Sequence, residues 1–442
     1  MAMFEKEERE LKNLKEKYEN VDIPLDDIDE AIQIGFQNAK EVKMIRKPKR
    51  KFRIWSIVAA AVFLFGILAS IRVSPTFADY LTKVPGMEKI VEMVRVRHDK
   101  GLLSAVENKY AQKIGTSQEK NGIKVTIDSV IADEQDIVLF YTIDSNSKQK
   151  NFEIDEAYLK PSNGEKLPEH SLSFGGTVDK VRGQYTSTVE YDFDKPYEQQ
   201  DFNLVLKIKN VKQSAQFSIP LSIKKHEKTN QIYELNKTVM IENQKIKIKK
   251  VTIYPLRVAV QVEMDPSNSK KILDFSGIIL VDQNGEVWSK ITNGTAAKII
   301  SDNERIIFLQ SNYFKDPKEL YFVINKLQAI DKEDEYLVID TEKQKILKHP
   351  RGNYLSDLKK EGDTIFFTLN TKKEFNYDMI GSITDANGKE IEMNESYMEG
   401  NVNNKQIIGF KISSRQKYMN PIKIDLVSFP SYIEGDAKVR VK

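Results

Sequence analysis

The chain has 442 residues, of which 40% are hydrophobic and 30% charged, and its formal net charge is +3. This length and hydrophobic content suffice for two or three hydrophobic cores of ordinary size. Because the chain has no cysteine, disulfides, a thiol nucleophile, a cysteine-ligated zinc site and a lipidated cysteine anchor are all excluded. The nearly neutral total conceals a partition: residues 1–42 hold twelve acidic and six basic residues, whereas residues 43–53 hold seven basic residues.

Residues 1–53 are predicted to form a cytoplasmic helical head that ends in the basic stretch. Apolar residues recur at helical spacing on either side of Pro24, and Asp26 or Asp27 can cap the second helix. Two such short helices cannot bury both apolar faces against each other, so they are expected to bind a partner, although a marginal hairpin or a membrane-surface helix remains an alternative. Their acidic polar faces suit a basic protein better than an anionic lipid leaflet. The predicted partner-binding residues are Leu11, Leu14, Tyr18, Leu25, Ile28, Ile32 and Phe36.

Residues 54–71 are predicted to form one transmembrane helix. The segment carries no charge, and about 27 Å of helix comes close to spanning a hydrocarbon core of about 30 Å. The basic residues at its N-terminal end place residues 1–53 in the cytoplasm and the bulk of the chain outside the cell membrane. The alternatives are a buried core helix and a cleavable signal peptide with a cleavage site at Thr76-Phe77-Ala78.

Residues 73–111 are predicted to form two or three short juxtamembrane helices, which Pro85-Gly86 and Gly101 separate. We expect these helices to pack against the first β module or near the lipid surface. Their apolar faces are formed by Phe77, Leu81 and Val84, by Ile90, Val91 and Val94, and by Leu102, Leu103, Val106 and Tyr110.

From about residue 112 the apolar residues alternate, which predicts half-buried strands and a chain that is mainly β. We predict three tandem immunoglobulin-like β-sandwich modules, at residues 112–227, 228–350 and 351–442. The stretch that begins at Asn121 resembles the stretch that begins at Asn243, at an offset of 122 residues.

Asn-Gly pairs recur between strand-like runs at 163–164, 284–285 and 387–388. The first two pairs are 121 residues apart, close to the offset of the longer repeat. Such pairs are typical of two-residue hairpin turns, in which both residues take positive φ.

No catalytic or nucleotide-binding motif occurs, so the protein is predicted not to be an enzyme and to need no cofactor. The four histidines, His98, His170, His226 and His349, are too widely spaced to predict a metal site.

Two groups of side chains in the β region could be functional but are expected to be structural. The acidic residues of one hairpin turn are expected to be solvated; they are Asp133, Glu134 and Asp136. Aromatic residues at alternating positions, including Trp288, Tyr321 and Phe322, are expected to pack in cores. A carbohydrate-binding face is the alternative for the aromatic residues.

The order of these features resembles a known family. An acidic head, a basic stretch and one membrane pass lead through "SPTFADYLTKVPGMEKIVEMV" into "NGIKVTIDSVIADEQDIVLFYTI". This is similar to membrane proteins of spore-forming Gram-positive bacteria that carry a domain of unknown function. Such proteins are commonly encoded beside extracytoplasmic-function sigma factors and are described as anti-sigma factors. The resemblance covers roughly residues 20 to 145.

The resemblance implies that the head sequesters a sigma factor through the seven apolar residues named above, while the outer modules sense the cell envelope. The acidic residues Asp26, Asp27, Asp29 and Glu30 would then supply charge complementarity, and no direct contact with nucleic acid is expected. The sequence departs from zinc-binding anti-sigma domains, because it has no cysteine and its histidines all lie beyond the predicted span. The alternative is a membrane-anchored surface protein whose β modules bind wall polymer or another protein.

Overall fold

The computed structural model describes residues 90, 93–94, 99–145, 152–174, 177–178, 184–209, 214–224, 230–291, 296–413 and 416–442. Over these ranges the chain is mainly β and forms several sheets, which confirms the predicted class. The helical head, its seven partner-binding residues and the span at 54–71 all lie outside the described residues. No helix among the residues that are described is both long enough and apolar enough to cross a membrane.

Helix α1 spans Lys100–Glu107 and begins at Asp99, whose carboxylate accepts a hydrogen bond from the backbone nitrogen of Leu102 at 3.0 Å. This N-cap satisfies one of the backbone donors that the first turn leaves unpaired. Gly101, expected to separate two helices, instead lies inside α1 and is buried.

The strands follow α1 in three groups. The first group contains β1 (Gln112–Lys113), β2 (Ser117–Lys120), β3 (Ile123–Ala132), β4 (Asp136–Ser145), β5 (Phe152–Pro161), β6 (His170–Phe174), β7 (Thr177–Val178), β8 (Gln184–Phe193), β9 (Asp201–Lys209) and β10 (Ser214–Ser222). The second contains β11 (Gln231–Ile241), β12 (Gln244–Ile253), β13 (Arg257–Met264), β14 (Lys270–Asp282), β15 (Val287–Ser289), β16 (Ala297–Ser301), β17 (Glu304–Gln310) and β18 (Leu320–Asp331). The third contains β19 (Tyr336–Asp340), β20 (Lys345–Lys348), β21 (Leu355–Glu361), β22 (Thr364–Asn370), β23 (Ile380–Thr384), β24 (Met393–Val402), β25 (Lys405–Ile412), β26 (Ile422–Leu426) and β27 (Tyr432–Arg440).

The first group forms β-sandwich 1, the second group together with β27 forms sandwich 2, and the rest of the third group forms sandwich 3. The central strands of sandwiches 1 and 2 have the same order, although their short edge strands differ. In sandwich 1, one sheet runs β1-β3-β4-β8-β6, with β2 also paired to β3, and the other runs β10-β9-β5-β7. In sandwich 2 the sheets run β11-β12-β13-β17-β16 and β15-β14-β18-β27. The two sheets of each sandwich share one apolar core. The matching order agrees with the repeat at an offset of 122 residues.

Sandwich 3 is inserted into sandwich 2. Its sheets run β20-β19-β26-β23 and β21-β22-β25-β24, so they begin before the predicted boundary at residue 350. The last strand, β27, returns to pair with β18 of sandwich 2. The two ends of the insertion meet where the backbone nitrogen of Ala329 donates to the carbonyl of Ser431 at 3.0 Å. The sequence repeat could not predict this arrangement, because alternation of apolar residues does not say which strand closes a sheet.

The three Asn-Gly turns are tight turns, but not of the predicted type. Only the glycines, Gly164, Gly285 and Gly388, take positive φ. In the second and third turns, an aspartate at the start of the turn, Asp282 or Asp385, accepts hydrogen bonds from two backbone nitrogens within the turn. These aspartates therefore stabilise four-residue turns, in which a single left-handed residue suffices.

Candidate functional site at the junction of sandwiches 1 and 2

Helix α1 covers the outer face of the first sheet of sandwich 1. Leu102, Ala105 and Val106 pack against the outward-facing side chains of β3 and β4, which are Ile131, Val138 and Phe140. The intervening residues of β4 point into the core of sandwich 1. Strand β4 is therefore apolar on both faces because one face packs on the core and the other on α1.

The same helix contacts sandwich 2. Leu256, in the turn between β12 and β13, belongs to the cluster around α1. The ring of Tyr110, just beyond the helix, meets Phe314 edge-on at 5.3 Å between centroids. The ammonium of Lys100 donates to the carbonyl of Val287 at 2.7 Å. Helix α1 is thus held between the two sandwiches rather than against one of them.

The junction brings together two turns that correspond in the repeat. The turn of sandwich 1 reads "ADEQD" and that of sandwich 2 reads "YPLR". The carboxylate of Asp133 accepts hydrogen bonds from two backbone nitrogens of its own turn at 2.9 Å, and from the backbone nitrogen of Leu256 at 3.2 Å. At the edge of the junction, the Asn230 amide donates to Glu134 at 2.8 Å, and Lys298 lies 2.6 Å from Asp194.

Arg257 is the central cation of the junction and only 4% of its surface is exposed. Its Nη1 lies 2.6 Å from a carboxylate oxygen of Asp192, and its Nε lies 2.9 Å from Oδ2 of Asp136 without hydrogen-bond geometry. The guanidinium carbon lies 4.1 Å from the centroid of the Phe308 ring, which is favourable cation–π geometry. Arg257 therefore links the carboxylates of sandwich 1 to sandwich 2.

Two carboxylates of the described residues, Asp133 and Asp136, are buried close to the guanidinium of Arg257. Burial raises the pKa of Asp136 well above its ordinary value; Arg257 opposes this rise, whereas Asp133, Asp192 and Glu190 add to it. Burial alone would lower the pKa of Arg257, but Asp136 and Asp192 offset this effect and leave the pKa raised. The guanidinium thus stays charged while several carboxylates compete for it.

A groove of about 400 Å³ opens beside this cluster, and we call it the junction groove. The polar residues that line it are Asp99, Asp136, Ser171, Ser173, Glu190, Asp192 and Arg257. The apolar residues that line it include Leu102, Val138, Leu256 and Ile291. A concave site lined by both apolar and polar side chains is typical of ligand binding.

The structure corrects one expectation and adds a residue that the sequence did not reveal. Asp133 and Asp136, expected to be solvated, are each only 7% exposed, because their cover comes from a turn more than 100 residues later in the chain. Arg257 was not predicted to be functional. The available signal was the opposite charge of the two corresponding turns, one acidic and one with an arginine.

Other candidate residues lie apart from the junction groove. Across the described parts of the chain, no group of three histidine, aspartate or glutamate side chains could hold a metal ion. His98 and His226 lie outside the described residues. Trp288 and Phe322 are buried in the core of sandwich 2, which confirms their predicted packing. The half-buried Tyr321 donates its hydroxyl to Glu319 at 2.8 Å.

Two parts of the chain match families of unknown function. Residues 47–145 match a domain of unknown function (DUF4179), from the basic stretch through α1 to the end of β4. Residues 230–348 match a family of unknown function (DUF5643), which runs from β11 through β20. A search of curated proteins returned no match.

Three solved structures are similar at low identity. A conserved domain protein from Bacillus anthracis is 15% identical, with 54% of this chain and 84% of that chain covered and a TM-score of 0.37. The cycloalternan-forming enzyme from Listeria monocytogenes is 9% identical, with 66% of this chain and 29% of that chain covered and a TM-score of 0.12. The C-terminal domain of the AgI/II polypeptide BspA from Streptococcus agalactiae is 9% identical, with 74% of this chain and 97% of that chain covered and a TM-score of 0.10.

Proposed function

We propose that the chain is a membrane-tethered regulator, specifically an anti-sigma factor. In this proposal the head at residues 1–53 sequesters a sigma factor, the segment at 54–71 tethers the pair to the membrane, and three extracytoplasmic immunoglobulin-like sandwiches respond to the cell envelope. The match of residues 47–145 to one domain family supports the proposal, because it joins the basic stretch and the predicted span to α1 and the first hairpin of sandwich 1.

The observation that carries the proposal is the position of α1. A passive anchor needs only a linker between the membrane and the first folded module. Here α1, which lies between the predicted span and sandwich 1 in the sequence, packs against both Val138 of sandwich 1 and Leu256 of sandwich 2. A displacement between the two sandwiches would therefore move α1, which gives the outer modules a physical connection to the membrane-proximal segment.

Sequestration would use the apolar face of the head. Leu25, Ile28, Ile32 and Phe36, with Leu11, Leu14 and Tyr18, would dock on the sigma factor and cover surfaces that it uses for polymerase or promoter DNA. The acidic residues beside them would steer a basic partner into place. A signal outside would end the inhibition through cleavage or a conformational change.

The test is co-purification with the tagged full-length chain from membranes. We expect one sigma factor to be recovered with the wild type and lost with Ile32→Asp or Phe36→Asp. Ile232→Asp is the matched control, because Ile232 is an exposed side chain on β11 of sandwich 2. Recovery of no sigma factor would contradict the anti-sigma assignment, and equal recovery with Phe36→Asp would contradict the proposed binding face.

One observation favours the second candidate, an anchored surface protein that binds wall polymer. On sandwich 3, Phe366 and Tyr397 pair across β25 on either side of Gly409, and their rings meet edge-on at 5.7 Å between centroids. Both side chains are half-buried, and Ile407 beside them is 40% exposed. Aromatic and aliphatic side chains on one sheet face can bind another molecule. Co-sedimentation of the full-length chain with purified cell walls, lost in Tyr397→Ala, would support this function.

A further inference from the structure

Several edge strands of the sandwiches are closed by side chains from other elements. The clearest case is β10, which ends one sheet of sandwich 1. The amide of Gln112 donates to the carbonyl of Ser222 at 2.8 Å and accepts from the backbone nitrogen of Lys224 at 2.9 Å. The amide of Gln118 accepts from the backbone nitrogen of Ser218 at 2.9 Å. These bonds occupy backbone groups that an added strand would otherwise pair with.

Further groups close the same edge and the corresponding edge of sandwich 2. The ammonium of Lys120 donates to the carbonyl of Gln216 at 2.6 Å, and Pro220 of β10 has no N–H to offer an added strand. On β27, the backbone nitrogen of Glu434 donates to the carboxylate of Glu242 at 3.0 Å. Protection of this kind keeps sheet edges from pairing with other chains.

Strand β6 (His170–Phe174) is an edge of sandwich 1 without such protection. It ends the first sheet, and β8 is the one described strand that pairs with it. The residues from His170 to Ser173 are all exposed, and Leu172 keeps 38% of its surface. Charged side chains, prolines and bulges are the usual ways to block an edge. Strand β6 contains no lysine, arginine, aspartate, glutamate or proline, and its pairing with β8 has no bulge.

The pairing of β6 with β8 shows which backbone groups face the open edge. The backbone nitrogen of Asp194 donates to the carbonyl of Glu169 at 2.8 Å, one residue before β6 begins. In an antiparallel pair, every second residue directs both its N–H and its C=O to the neighbouring strand. The groups of Glu169 face β8, so by this alternation those of His170, Leu172 and Phe174 face outward.

The sequence of β6, "HSLSF", matches a second copy of itself. Read from either end, it is aromatic, serine, leucine, serine, aromatic. In an antiparallel pair centred on Leu172, Leu172 lies opposite Leu172, Ser171 opposite Ser173, and His170 opposite Phe174. The outward groups of the two Leu172 residues then form the central pair of hydrogen bonds. Aromatic, hydroxyl and apolar pairs of this kind stabilise sheets, and no like charges meet.

We propose that β6 pairs antiparallel with β6 of a second copy of this chain, about a two-fold axis at Leu172. The first sheets of the two copies then form one continuous sheet. A five-residue strand is only about 17 Å long. The strand pair alone therefore buries less than the roughly 1,200–2,000 Å² of a stable interface. Association is weak at low concentration and increases with the local concentration of the chain.

This pairing goes beyond the proposed function and needs no sigma factor. Only its consequence for signalling rests on that function, in which a membrane tether would raise the local concentration of the chain. Residues 171–173 of β6 also line the junction groove, so a second copy on β6 lies beside the place where α1 contacts both sandwiches. The two proposals fail separately, because self-association is measured without a sigma factor.

Disulfide cross-linking of the full-length chain in detergent tests the pairing. The chain has no cysteine, so each introduced cysteine is unique. We expect Leu172→Cys to form a covalent dimer on mild oxidation with diamide. Directly opposed residues of a hydrogen-bonded pair have Cα atoms about 5.5 Å apart, which suits a disulfide. Leu347→Cys, at an exposed leucine on the edge strand β20, is the matched control and should stay monomeric.

A mixing experiment tests the register. Ser171 of one copy lies opposite Ser173 of the other in a pair without mutual hydrogen bonds, where Cα atoms are about 4.5 Å apart. A mixture of Ser171→Cys and Ser173→Cys chains should therefore cross-link. Either variant alone should not, because identical serines are two residues out of register and lie beyond the roughly 7 Å limit for a disulfide.

The variant Leu172→Lys separates pairing from folding. It places two ammonium groups opposite each other at the axis, so it should weaken self-association at least about tenfold in sedimentation equilibrium. Its Tm should stay close to that of the wild type because the side chain is exposed. Leu347→Lys should associate like the wild type.

Four results would each overturn the proposal. In the first, the wild type stays monomeric at every concentration. In the second, Leu172→Cys cross-links no faster than Leu347→Cys. In the third, the mixture of Ser171→Cys and Ser173→Cys cross-links no faster than either variant alone. In the fourth, Leu172→Lys associates as strongly as the wild type.

Discussion

Gly101 of α1 lies directly against the backbone of Ser311 in sandwich 2. A Cβ atom at position 101 would lie 2.7 Å from the backbone nitrogen of Ser311 and 3.2 Å from the carbonyl oxygen of Leu256. Both atoms are main chain and cannot rotate away. The contact between α1 and sandwich 2 therefore requires a residue without a side chain at this point.

Gly101→Ala should destabilise the junction although alanine favours helices. The gain in helix propensity is about 1 kcal/mol, whereas overpacking at a close backbone contact costs about 1–3 kcal/mol. Thermal unfolding should show a lower Tm, with faster hydrogen exchange in α1. Gly400→Ala is the control, because its nearest neighbour, a carboxylate oxygen of Glu374, is 4.0 Å away. A Tm of Gly101→Ala at or above that of the wild type would show that α1 does not need this contact.

Arg257→Leu should be strongly destabilising. It leaves the buried carboxylate of Asp136 and the half-buried carboxylate of Asp192 without their cation, and breaking a buried ion pair on one side typically costs about 3–5 kcal/mol. Lys298→Ala is the matched control, because the ion pair of Lys298 with Asp194 also joins the two sandwiches but is one-third exposed. Loss of such an exposed pair usually lowers the free energy of unfolding by only about 0–1 kcal/mol. Chemical denaturation measures both variants. Similar losses for the two would mean that Arg257 acts as an ordinary surface cation.

The stability of the junction should rise on mild acidification. Burial, reinforced by Asp133, Asp192 and Glu190, raises the folded-state pKa of Asp136 above the value it has in the unfolded chain, even beside Arg257. The folded state thus holds this proton more tightly. The resulting stability is complete below the ordinary aspartate pKa and is lost as the pH rises through the raised value.

The variant Asp136→Asn isolates this effect, because it presents an uncharged isostere at every pH. As the pH falls from 7 towards 4, we expect the Tm of the wild type to rise relative to that of Asp136→Asn. The measurement is the difference in Tm between the two proteins across this range. A difference that stays flat, or that changes in the opposite direction, would show that Arg257 keeps Asp136 ionised in the folded state.

The sequence revealed local structure better than it revealed the junction. Alternation at Ile137, Leu139 and Tyr141 correctly predicted strand β4, and the apolar face of Leu102 and Val106 marked helix α1. These patterns depend only on neighbours in the chain. The same local reasoning predicts that Asp136 is a solvated turn residue. The group that buries it, Arg257, lies in the next repeat, and the sequence pattern does not predict that the two residues are in contact.

The sequence pattern also did not predict how the strands of the sandwiches are connected. Strand β27 alternates like any half-buried strand, with Ile433, Ala437 and Val439 pointing into a core. That core belongs to sandwich 2, although the strand follows sandwich 3 in the chain. Turn residues in a repeat predict where hairpins lie. The sheet that the last strand joins depends on pairing between residues far apart in the chain, which no local sequence pattern indicates.

Excision of the inserted sandwich should leave a folded protein. In sandwich 1, the corresponding strands β9 and β10 are joined by residues 210–213 alone. In sandwich 2 the ends of the insertion already meet through the hydrogen bond between Ala329 and Ser431. Replacement of residues 333–429 by a four-residue Gly-Ser linker should therefore preserve the pairing of β18 with β27. The free energy of unfolding should fall modestly, because Leu273 and Ile330 lose the apolar cluster that they share with sandwich 3.

Deletion of residues 432–442 is the opposing variant of the pair. It removes β27 and exposes the core of sandwich 2, so protection from hydrogen exchange should collapse in β18 but persist in β25 of sandwich 3. In the excised protein, protection of β18 should remain close to that of the wild type. If the excised chain unfolds while the truncated chain keeps β18 protected, sandwich 2 is completed by sandwich 3 rather than by its own last strand.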